Sequence, residues 1–321
     1  MALVAEAPLC WPAAGLGSRC SMKILLALLA CCGAPAVLAH DVPGLHPHGL
    51  WQAWSREAWL WLLWLLPGLL AFCGMARLWR QAGVGAGIGV GAAACFTTGW
   101  LALGLSLLSP LDALGEELFW AHMVQHEVVM LVAAPLLVLG RPLPALVWGL
   151  PAGWRAGAAR LVRASGLQAT AHALSQPMAA WWVHALTLWG WHAPALFLAA
   201  LRQEWVHDLQ HASFFIGALV FWQALFLGRR REQHAAAVLY LFTTLLHTSI
   251  LGALLAFSSR VWYVDYAATA PAWGLDALQD QQLGGLIMWV PGGVVYTAAA
   301  LALFVALLGD KRGTGLPRAA R

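Results

Sequence analysis

Seven apolar stretches, each about 20 residues long, constrain the fold of this chain more than any other feature, since that length crosses a bilayer as a helix. Their bounds are Ala58–Met75, Val84–Leu108, Phe119–Leu139, Ala179–Leu201, Asp208–Leu227, Ala236–Phe257 and Gly284–Leu308. Only a helix satisfies its own backbone hydrogen bonds in lipid at this length. The chain is 61% hydrophobic and 10% charged, whereas about 25% of a soluble domain is charged. The sequence therefore predicts an all-α protein, a polytopic transmembrane helix bundle of about seven spans.

Residues 1–39 resemble a secretory signal peptide. Lys23 precedes a short apolar run that ends at Val37-Leu38-Ala39, a pattern typical of signal cleavage, so the mature chain is expected to begin near His40. The residues before Met22 fit poorly in front of a signal, which favours Met22 as the true start. Two alternatives stay open. Leu28-Leu29-Ala30-Cys31 loosely resembles a lipoprotein cleavage site, and the segment as a whole could remain as an uncleaved anchor.

Basic residues divide unevenly between the two sides of the predicted bundle, and they favour cytoplasmic loops. One side holds Arg77, Arg80, Arg141, Arg155, Arg160, Arg163, Arg229, Arg230, Arg231, Lys311, Arg312, Arg318 and Arg321. The other side holds Arg56, Arg202 and Arg260. This predicts an external segment at 40–57, a membrane domain at 58–308 and a basic cytoplasmic tail at 309–321. The N-terminus is then outside and the C-terminus cytoplasmic, and the net charge of +4 does not indicate a nucleic-acid partner.

Histidines on four of the predicted spans fall in the outer half of the bilayer when depth is counted at about 1.5 Å per residue. They are His122 and His126 on the third span, His192 on the fourth, His207 and His211 at the start of the fifth, and His247 on the sixth. Because these spans run in alternating directions, their histidines are expected to meet at the same level of the bilayer. Ionisable residues inside a bilayer are costly and usually functional.

The spacing of these histidines fits metal binding. His122, His126 and Met130 follow one another at intervals of four residues and so share a helix face, and His207 and His211 have the same spacing. Imidazole together with thioether suits copper, especially Cu(I), better than magnesium or calcium. The predicted ligands are His122, His126, His192, His207, His211, His247, Met130 and Met288. The side chains expected to support these ligands are Asp280, Gln281 and Glu127.

Simpler interpretations exist for each residue taken alone. A single buried histidine often hydrogen-bonds a neighbour, and a single methionine often only packs. The external histidines form either a metal-acquiring tract or a solvated segment; they are His40, His46 and His48. Three further histidines lie away from the outer cluster and are interpreted as structural: His172, His184 and His234. Glycines from Gly85 to Gly91 have the small-xxx-small spacing that predicts close helix packing.

Five stretches of the chain resemble one protein family. They are His122-Met123-Val124-Gln125-His126; Ala134-Pro135-Leu136-Leu137-Val138-Leu139-Gly140; Trp191-His192-Ala193-Pro194; His207-Asp208-Leu209-Gln210-His211-Ala212-Ser213-Phe214-Phe215; and Asp280-Gln281-Gln282-Leu283-Gly284-Gly285-Leu286-Ile287-Met288-Trp289. Together these stretches resemble the CtaG-type cytochrome c oxidase assembly factors, which are multi-span bacterial membrane proteins. The resemblance covers about Trp51–Leu308. The residues that match the family's motifs are His122, His126, His192, His207, His211, Asp280 and Met288.

The resemblance implies a role in maturing a haem-copper oxidase, in particular in forming its copper B centre. The implied partners are the oxidase subunit that carries the copper B site, a periplasmic copper donor and the lipid of the bacterial cytoplasmic membrane. We expect copper to bind in the outer half of the bundle and to pass on without a covalent step, so an enzyme is not expected. Two alternatives stay open: a haem-binding redox protein with His192 and His247 as axial ligands, and a metal-free assembly scaffold.

Overall fold

The computed structural model describes residues 47–164, 166–226 and 234–311, and within these ranges the chain is helical without a β-strand. The predicted signal peptide, His40, His46, residues 227–233 and the residues from 312 onward lie outside the described residues. The helices are α1 (Ala58–Ala82), α2 (Val90–Leu108), α3 (Pro110–Glu117), α4 (Phe119–Gly140), α5 (Leu143–Gly149), α6 (Ala152–Ala164), α7 (Leu167–Leu174), α8 (Pro177–His192), α9 (Pro194–Arg202), α10 (Glu204–Phe226), α11 (His234–Ala256) and α12 (Ala277–Lys311). Short 3-10 helices lie at Pro47–Gln52, Val264–Ala267 and Ala270–Trp273.

Six of the described helices are long and apolar enough to cross a membrane: α1, α2, α4, α10, α11 and α12. Their outward faces carry large exposed apolar side chains, among them Leu63, Leu101, Ile216, Leu246 and Val294. Such a surface is compatible with lipid and not with water. The chain is therefore a multi-pass membrane protein with the all-α bundle that the sequence predicts.

The fourth predicted span, Ala179–Leu201, is divided into two helices. Helix α8 ends at His192, Ala193 is extended with φ −63° and ψ 127°, and α9 begins at Pro194. Proline disfavours helical geometry in the residue before it, and it starts a new helix readily because a first turn leaves its N–H groups unpaired anyway. The break frees the carbonyl of His192, which accepts a hydrogen bond from the Tyr263 hydroxyl at 2.9 Å.

Helix α4 contains a π-helical segment, Val128–Ala133, soon after His126. Pro135 follows this segment and has no N–H to continue the backbone hydrogen bonds. The carbonyl of Met130 accepts instead from the indole N–H of Trp222 at 2.8 Å. Segments of this kind are rare and frequently lie at functional sites. The wider turn also means that residues on either side of it do not keep the alignment of a regular α-helix.

Helix α4 lies at the centre of the bundle. In the most hydrophobic 18-residue stretch of α4, 67% of the residues are buried inside the protein. In the corresponding stretch of α12 the buried share is 17%. One core cluster packs α4 against the helices from α8 to α12, with Phe214 and Leu251 among its buried members. A second core cluster packs α4 against α1, α2 and α5 through residues such as Phe96 and Val129. Polar groups on α4 are therefore held inside protein rather than facing lipid.

Close helix contacts occur at glycines other than those that the sequence indicated. Gly85 and Gly87 have φ of 84° and 72°, so they form a turn and α2 begins after them. A Cβ on Gly91 would meet nothing within 4 Å, whereas a Cβ on Gly87 would lie 2.9 Å from the Leu78 side chain, so the close approach at these glycines is made by the turn and not by helix α2. Where α11 meets α12, a Cβ on Gly252 would lie 3.0 Å from the carbonyl oxygen of Gly285. A Cβ on Gly285 would lie 2.5 Å from the backbone nitrogen of Ala256, so glycine at these positions lets α11 and α12 pack closely.

Candidate metal centre

Four histidines from two helices meet inside the bundle. Helix α4 supplies His122 and His126, and α10 supplies His207 and His211. The ring centroids are 4.3 Å apart within the first pair and 4.4 Å apart within the second. Between the helices, the ring centroids of His126 and His211 are 5.0 Å apart, and those of His122 and His207 are 5.4 Å apart. We refer to these four residues as the histidine cluster.

The histidine cluster brings ring nitrogens within reach of one ion. One nitrogen from each of His122, His207 and His211 lies within 4.8 Å of the other two. The Nε2 atoms of His207 and His211 are 2.9 Å apart. A metal that binds imidazole at about 2.0–2.1 Å holds two ligating nitrogens at most about 4 Å apart. Small rotations of the side chains would therefore close this group around a metal ion.

Most of the histidine cluster is deeply buried and short of hydrogen-bond partners. His122, His126 and His211 are 0%, 2% and 8% exposed, while His207 is half-buried. Both ring nitrogens of His126, and Nδ1 of His122 and of His211, are buried without a partner. Leaving one buried polar atom unpaired costs about 1–3 kcal/mol, so few such atoms occur in native proteins. Four in one place make the histidine cluster a candidate site for a group that binds imidazole nitrogen.

Gln210 contacts His122 inside the cluster. It lies beside His211 on α10, is 0% exposed, and its Oε1 is 3.3 Å from Nε2 of His122. An amide oxygen only accepts hydrogen bonds, so in the tautomer that uses this contact Nε2 of His122 carries the proton and donates it. The unpartnered Nδ1 then presents its lone pair. Histidines that bind metals are commonly held in this way, with the other ring nitrogen donating to a fixed acceptor.

Aromatic side chains enclose the histidine cluster. The ring of Phe197 on α9 lies 5.1 Å from that of His122, and the ring of Phe214 lies 4.5 Å from that of His126. Tyr263, from the segment between α11 and α12, packs on Phe197 at 4.2 Å between centroids. Burial raises the pKa of Tyr263, so its hydroxyl stays protonated. This shell keeps water from most of the cluster.

Carboxyl groups gather near the half-buried end of the cluster. Glu204 is one turn before His207 on α10 and interacts electrostatically with it. Burial, followed by a hydrogen bond that protonated Glu57 donates to Glu204, raises the pKa of Glu57 to about 8, and the charge of Asp112 adds to the effect. Burial also raises the pKa of Asp112 to about 7. We define the acidic rim as Glu57, Asp112, Glu204 and Asp208. Its charge favours the approach of a cation.

Asp280 and Gln281, which the sequence suggests as partners of the ligands, form hydrogen bonds with backbone groups. Asp280 is 0% exposed and accepts the backbone N–H groups of Phe119 at 2.7 Å and Trp120 at 3.0 Å. A carboxylate at this position caps α4 and interacts favourably with the positive end of its dipole. Gln281 accepts the backbone N–H of Trp262 at 2.6 Å. Asp280 thus fixes the position of the first turn of α4, which carries His122.

His192 lies at the edge of the cluster, and His247 lies further along the bundle. The ring centroid of His192 is 6.5 Å from that of His126. Its Nδ1 donates to the carbonyl of Leu188 at 2.7 Å, which leaves Nε2 buried and unpartnered. The ring centroid of His247 is 6.0 Å from that of His184, which is two turns before His192 on α8. The structure therefore groups His247 with His184.

Met130, Met288 and Glu127 line a separate small cavity together with His184. None of the four histidines of the cluster lines this cavity. Met130 is four residues after His126, but it lies in the π-helical segment, where the regular alignment of residues four apart is lost. The ligands that the sequence predicts as one set are thus divided between two places.

Two residues near these sites, Gln210 and His184, have no functional role in the interpretation of the sequence. Gln210 stands inside the His207–His211 motif, and its polarity within a span was the available signal. His184 was interpreted as structural because its depth placed it in the inner half of the fourth span. Its burial, at 4% exposed, and its position beside Glu127 become visible only in three dimensions.

Comparison with known proteins gives a family. Residues 69–310 match the family described as cytochrome c oxidase caa3 assembly factor, Caa3_CtaG. Two curated proteins of uncharacterized function, from Mycobacterium bovis and Mycobacterium tuberculosis, are each 28% identical over 211 residues. The match covers 62% of this chain but 31% of each relative, so the chain spans about a third of their length. No solved structure matches the chain. Because the family match covers most of the chain and all of the histidine cluster, the protein belongs to the cytochrome c oxidase caa3 assembly factor family.

Proposed function

We propose that this protein binds copper at the histidine cluster and delivers it to the copper B centre of a haem-copper cytochrome c oxidase. Membership of the assembly factor family supports the oxidase as the recipient. The partners would be the oxidase subunit that carries the copper B site and a periplasmic copper donor. Transfer between ligand sets involves no covalent chemistry, so the protein acts as a carrier and not as an enzyme.

The strongest support for the proposal is the lack of hydrogen-bond partners at His126. Both of its ring nitrogens are buried and have no hydrogen-bond partner, although a neutral imidazole has one donor and one acceptor to satisfy. An ordinary structural histidine would use at least one of them. A metal ion beside His122 and His211 would occupy the acceptor nitrogen and remove the cost of leaving that nitrogen unpaired.

The donor set favours copper over hard cations. Magnesium and calcium require oxygen ligands, whereas the histidine cluster offers imidazole nitrogens that suit copper, zinc or nickel. Neutral imidazoles add no charge to a buried site, so a singly charged Cu(I) ion there needs less compensation than a doubly charged ion. Copper is also the metal that a haem-copper oxidase must receive.

The acidic rim and half-buried His207 provide an entry. The distribution of basic residues predicts that this end of the bundle faces outward, on the periplasmic side of a bacterial cytoplasmic membrane. Copper would arrive at the rim, pass to His207 and His211, and reach His122 and His126. It would then leave laterally to the oxidase subunit within the membrane.

A direct measurement of copper transfer tests whether the protein delivers copper to the oxidase. The Cu(I)-loaded protein is mixed with an oxidase subunit depleted of copper, and copper in the subunit is measured over time. We expect faster filling than from a chelator that buffers Cu(I) at the same free concentration. His211→Ala should remove this advantage, whereas His172→Ala, an exposed histidine on α7, should keep it. Equal filling rates from the protein and the chelator would argue against delivery.

Gln210→Leu should weaken copper binding, because Gln210 holds His122 with its Nδ1 lone pair available. Loss of a group that orients a metal ligand costs about 10–100-fold in metal affinity. Competition against a Cu(I) chelator measures this affinity. Gln223→Leu is the matched control, since Gln223 lies on the same helix but is exposed. An unchanged affinity in Gln210→Leu would exclude this orienting role.

Copper uptake should depend on pH through Glu57. Because its pKa is raised to about 8, Glu57 is protonated at neutral pH and gains a negative charge above that value. One added charge at the acidic rim should speed Cu(I) association by about 2- to 10-fold between about pH 7 and pH 9 at low salt. Stopped-flow measurements of chelator release follow the rate. In Glu57→Gln the increase should shrink to the part contributed by Asp112, whose pKa is about 7; the same pH profile in both proteins would contradict the assignment.

A further inference from the structure

One turn beyond the histidine cluster along α4, polar and sulfur-containing side chains surround a cavity of about 10 Å³. That size is close to the minimum for one water molecule or one bare ion. The lining side chains with potential metal-binding atoms are Glu127, Met130, His184, Thr248, Met288 and Tyr296. Met130 and Met288 are each 5% exposed, and His184 is 4% exposed. We call this place the methionine pocket.

Two polar atoms of the methionine pocket lack partners. Oε2 of Glu127 and Nδ1 of His184 are both buried without a hydrogen bond. A Cβ on Gly292 would lie 3.5 Å from that Glu127 oxygen, so the absence of a side chain at 292 leaves space beside it. A buried acid with a free oxygen and a buried imidazole with a free nitrogen are costly together unless a third group joins them.

The hydrogen bond of His184 fits metal binding. Its Nε2 lies 3.4 Å from the hydroxyl oxygen of Tyr296. If Nε2 donates to that oxygen, Nδ1 carries the free lone pair, which is the common arrangement of a metal-binding histidine. Thr248 donates its own hydroxyl hydrogen to the carbonyl of Thr244 at 3.0 Å. Its oxygen therefore keeps a lone pair for the pocket.

We propose that the methionine pocket is a second Cu(I) site, with Met130, Met288 and His184 as ligands and Glu127 supplying the balancing charge. Thioether sulfur selects soft Cu(I) over zinc and over hard cations. Glu127 of this site directly follows His126 in the chain, so an ion could move between the two sites without entering water. The inference rests on the proposed function only for the identity of the metal.

The test separates the two sites by their ligand chemistry. The purified full-length protein is loaded anaerobically with Cu(I), and copper per chain is measured together with X-ray absorption at the copper edge. We expect two copper ions per chain and scattering from both nitrogen and sulfur neighbours. In the double variant M130L/M288L we expect one copper ion with the sulfur scattering lost. Leucine for methionine conserves volume and typically costs less than about 1.5 kcal/mol.

Met75→Leu is the matched control, because Met75 is also buried but belongs to the other core cluster. It should retain both copper ions and the sulfur signal. His184→Gln, a second variant that can still hydrogen-bond Tyr296, should lose the same copper ion as M130L/M288L. One copper ion with nitrogen scattering alone in the wild-type protein would overturn the second site and keep the first. No bound copper in the wild-type protein would overturn both.

Discussion

Cells in which His126 or His211 is replaced by alanine should insert the protein normally but fail to complete their oxidase. Each substitution removes a buried imidazole that has at least one unpartnered ring nitrogen. Even residues that only orient a ligand change metal affinity by about 10–100-fold, so loss of a ligand should exceed about 100-fold. Oxidase activity in isolated membranes is therefore expected to fall by more than about tenfold. Haem content should change less, because the proposed cargo is copper.

The control for this experiment is His172→Ala, since His172 is exposed on α7 and far from the cluster in sequence. The amount of each variant in the membrane is measured by immunoblot, so that a folding defect is not mistaken for a functional one. Normal oxidase activity and copper content in both His126→Ala and His211→Ala would contradict the copper proposal as placed here.

Asp280→Ala should produce the largest loss of stability among the residues of this region. The substitution leaves the backbone N–H groups of Phe119 and Trp120 without their acceptor. Hydrogen bonds to a charged acceptor contribute about 1.5–3 kcal/mol each, so we expect a destabilisation of about 3 kcal/mol or more. Thermal unfolding in detergent measures it. Asp280→Asn should be milder, because an amide oxygen still accepts a hydrogen bond.

Asp276→Ala is the matched comparison, because Asp276 caps a helix as Asp280 does. Asp276 is exposed and accepts from the backbone N–H groups of Leu278 and Gln279 on its own helix. Loss of an ordinary helix cap costs about 1 kcal/mol. Equal unfolding midpoints for Asp276→Ala and Asp280→Ala would mean that the buried carboxylate has no special role in holding α4.

The sequence predicts that six histidines on four spans share a depth, because depth in a membrane can be counted; four of the six meet in the histidine cluster. Spans of fixed length run between two surfaces, so the position of His126 or His211 along its helix follows from the helical rise. The same logic explains why the long apolar helices were predicted well. The break at Ala193 was not predicted, although the following Pro194 was the local signal for it.

The remaining ligand predictions depended on the direction in which each side chain faces around its helix axis. Depth in the membrane does not determine that direction. Met130 shares a face with His126 only if α4 is a regular helix, and the π-helical segment removes that condition. The role of Asp280 as a cap on another helix depends on how α12 packs against α4. Contacts between helices that are distant in sequence produce no repeating residue pattern in either helix, so a single sequence does not reveal them.

The measurement that tests the central claim most directly is metal content and visible absorption of the purified protein in mild detergent. The account predicts bound copper after anaerobic Cu(I) loading, one copper ion fewer in the His122→Ala/His126→Ala double variant, and no Soret band. A protein that binds no copper even after loading would contradict the account and leave an assembly scaffold as the better description. A Soret band would contradict it in favour of a haem protein.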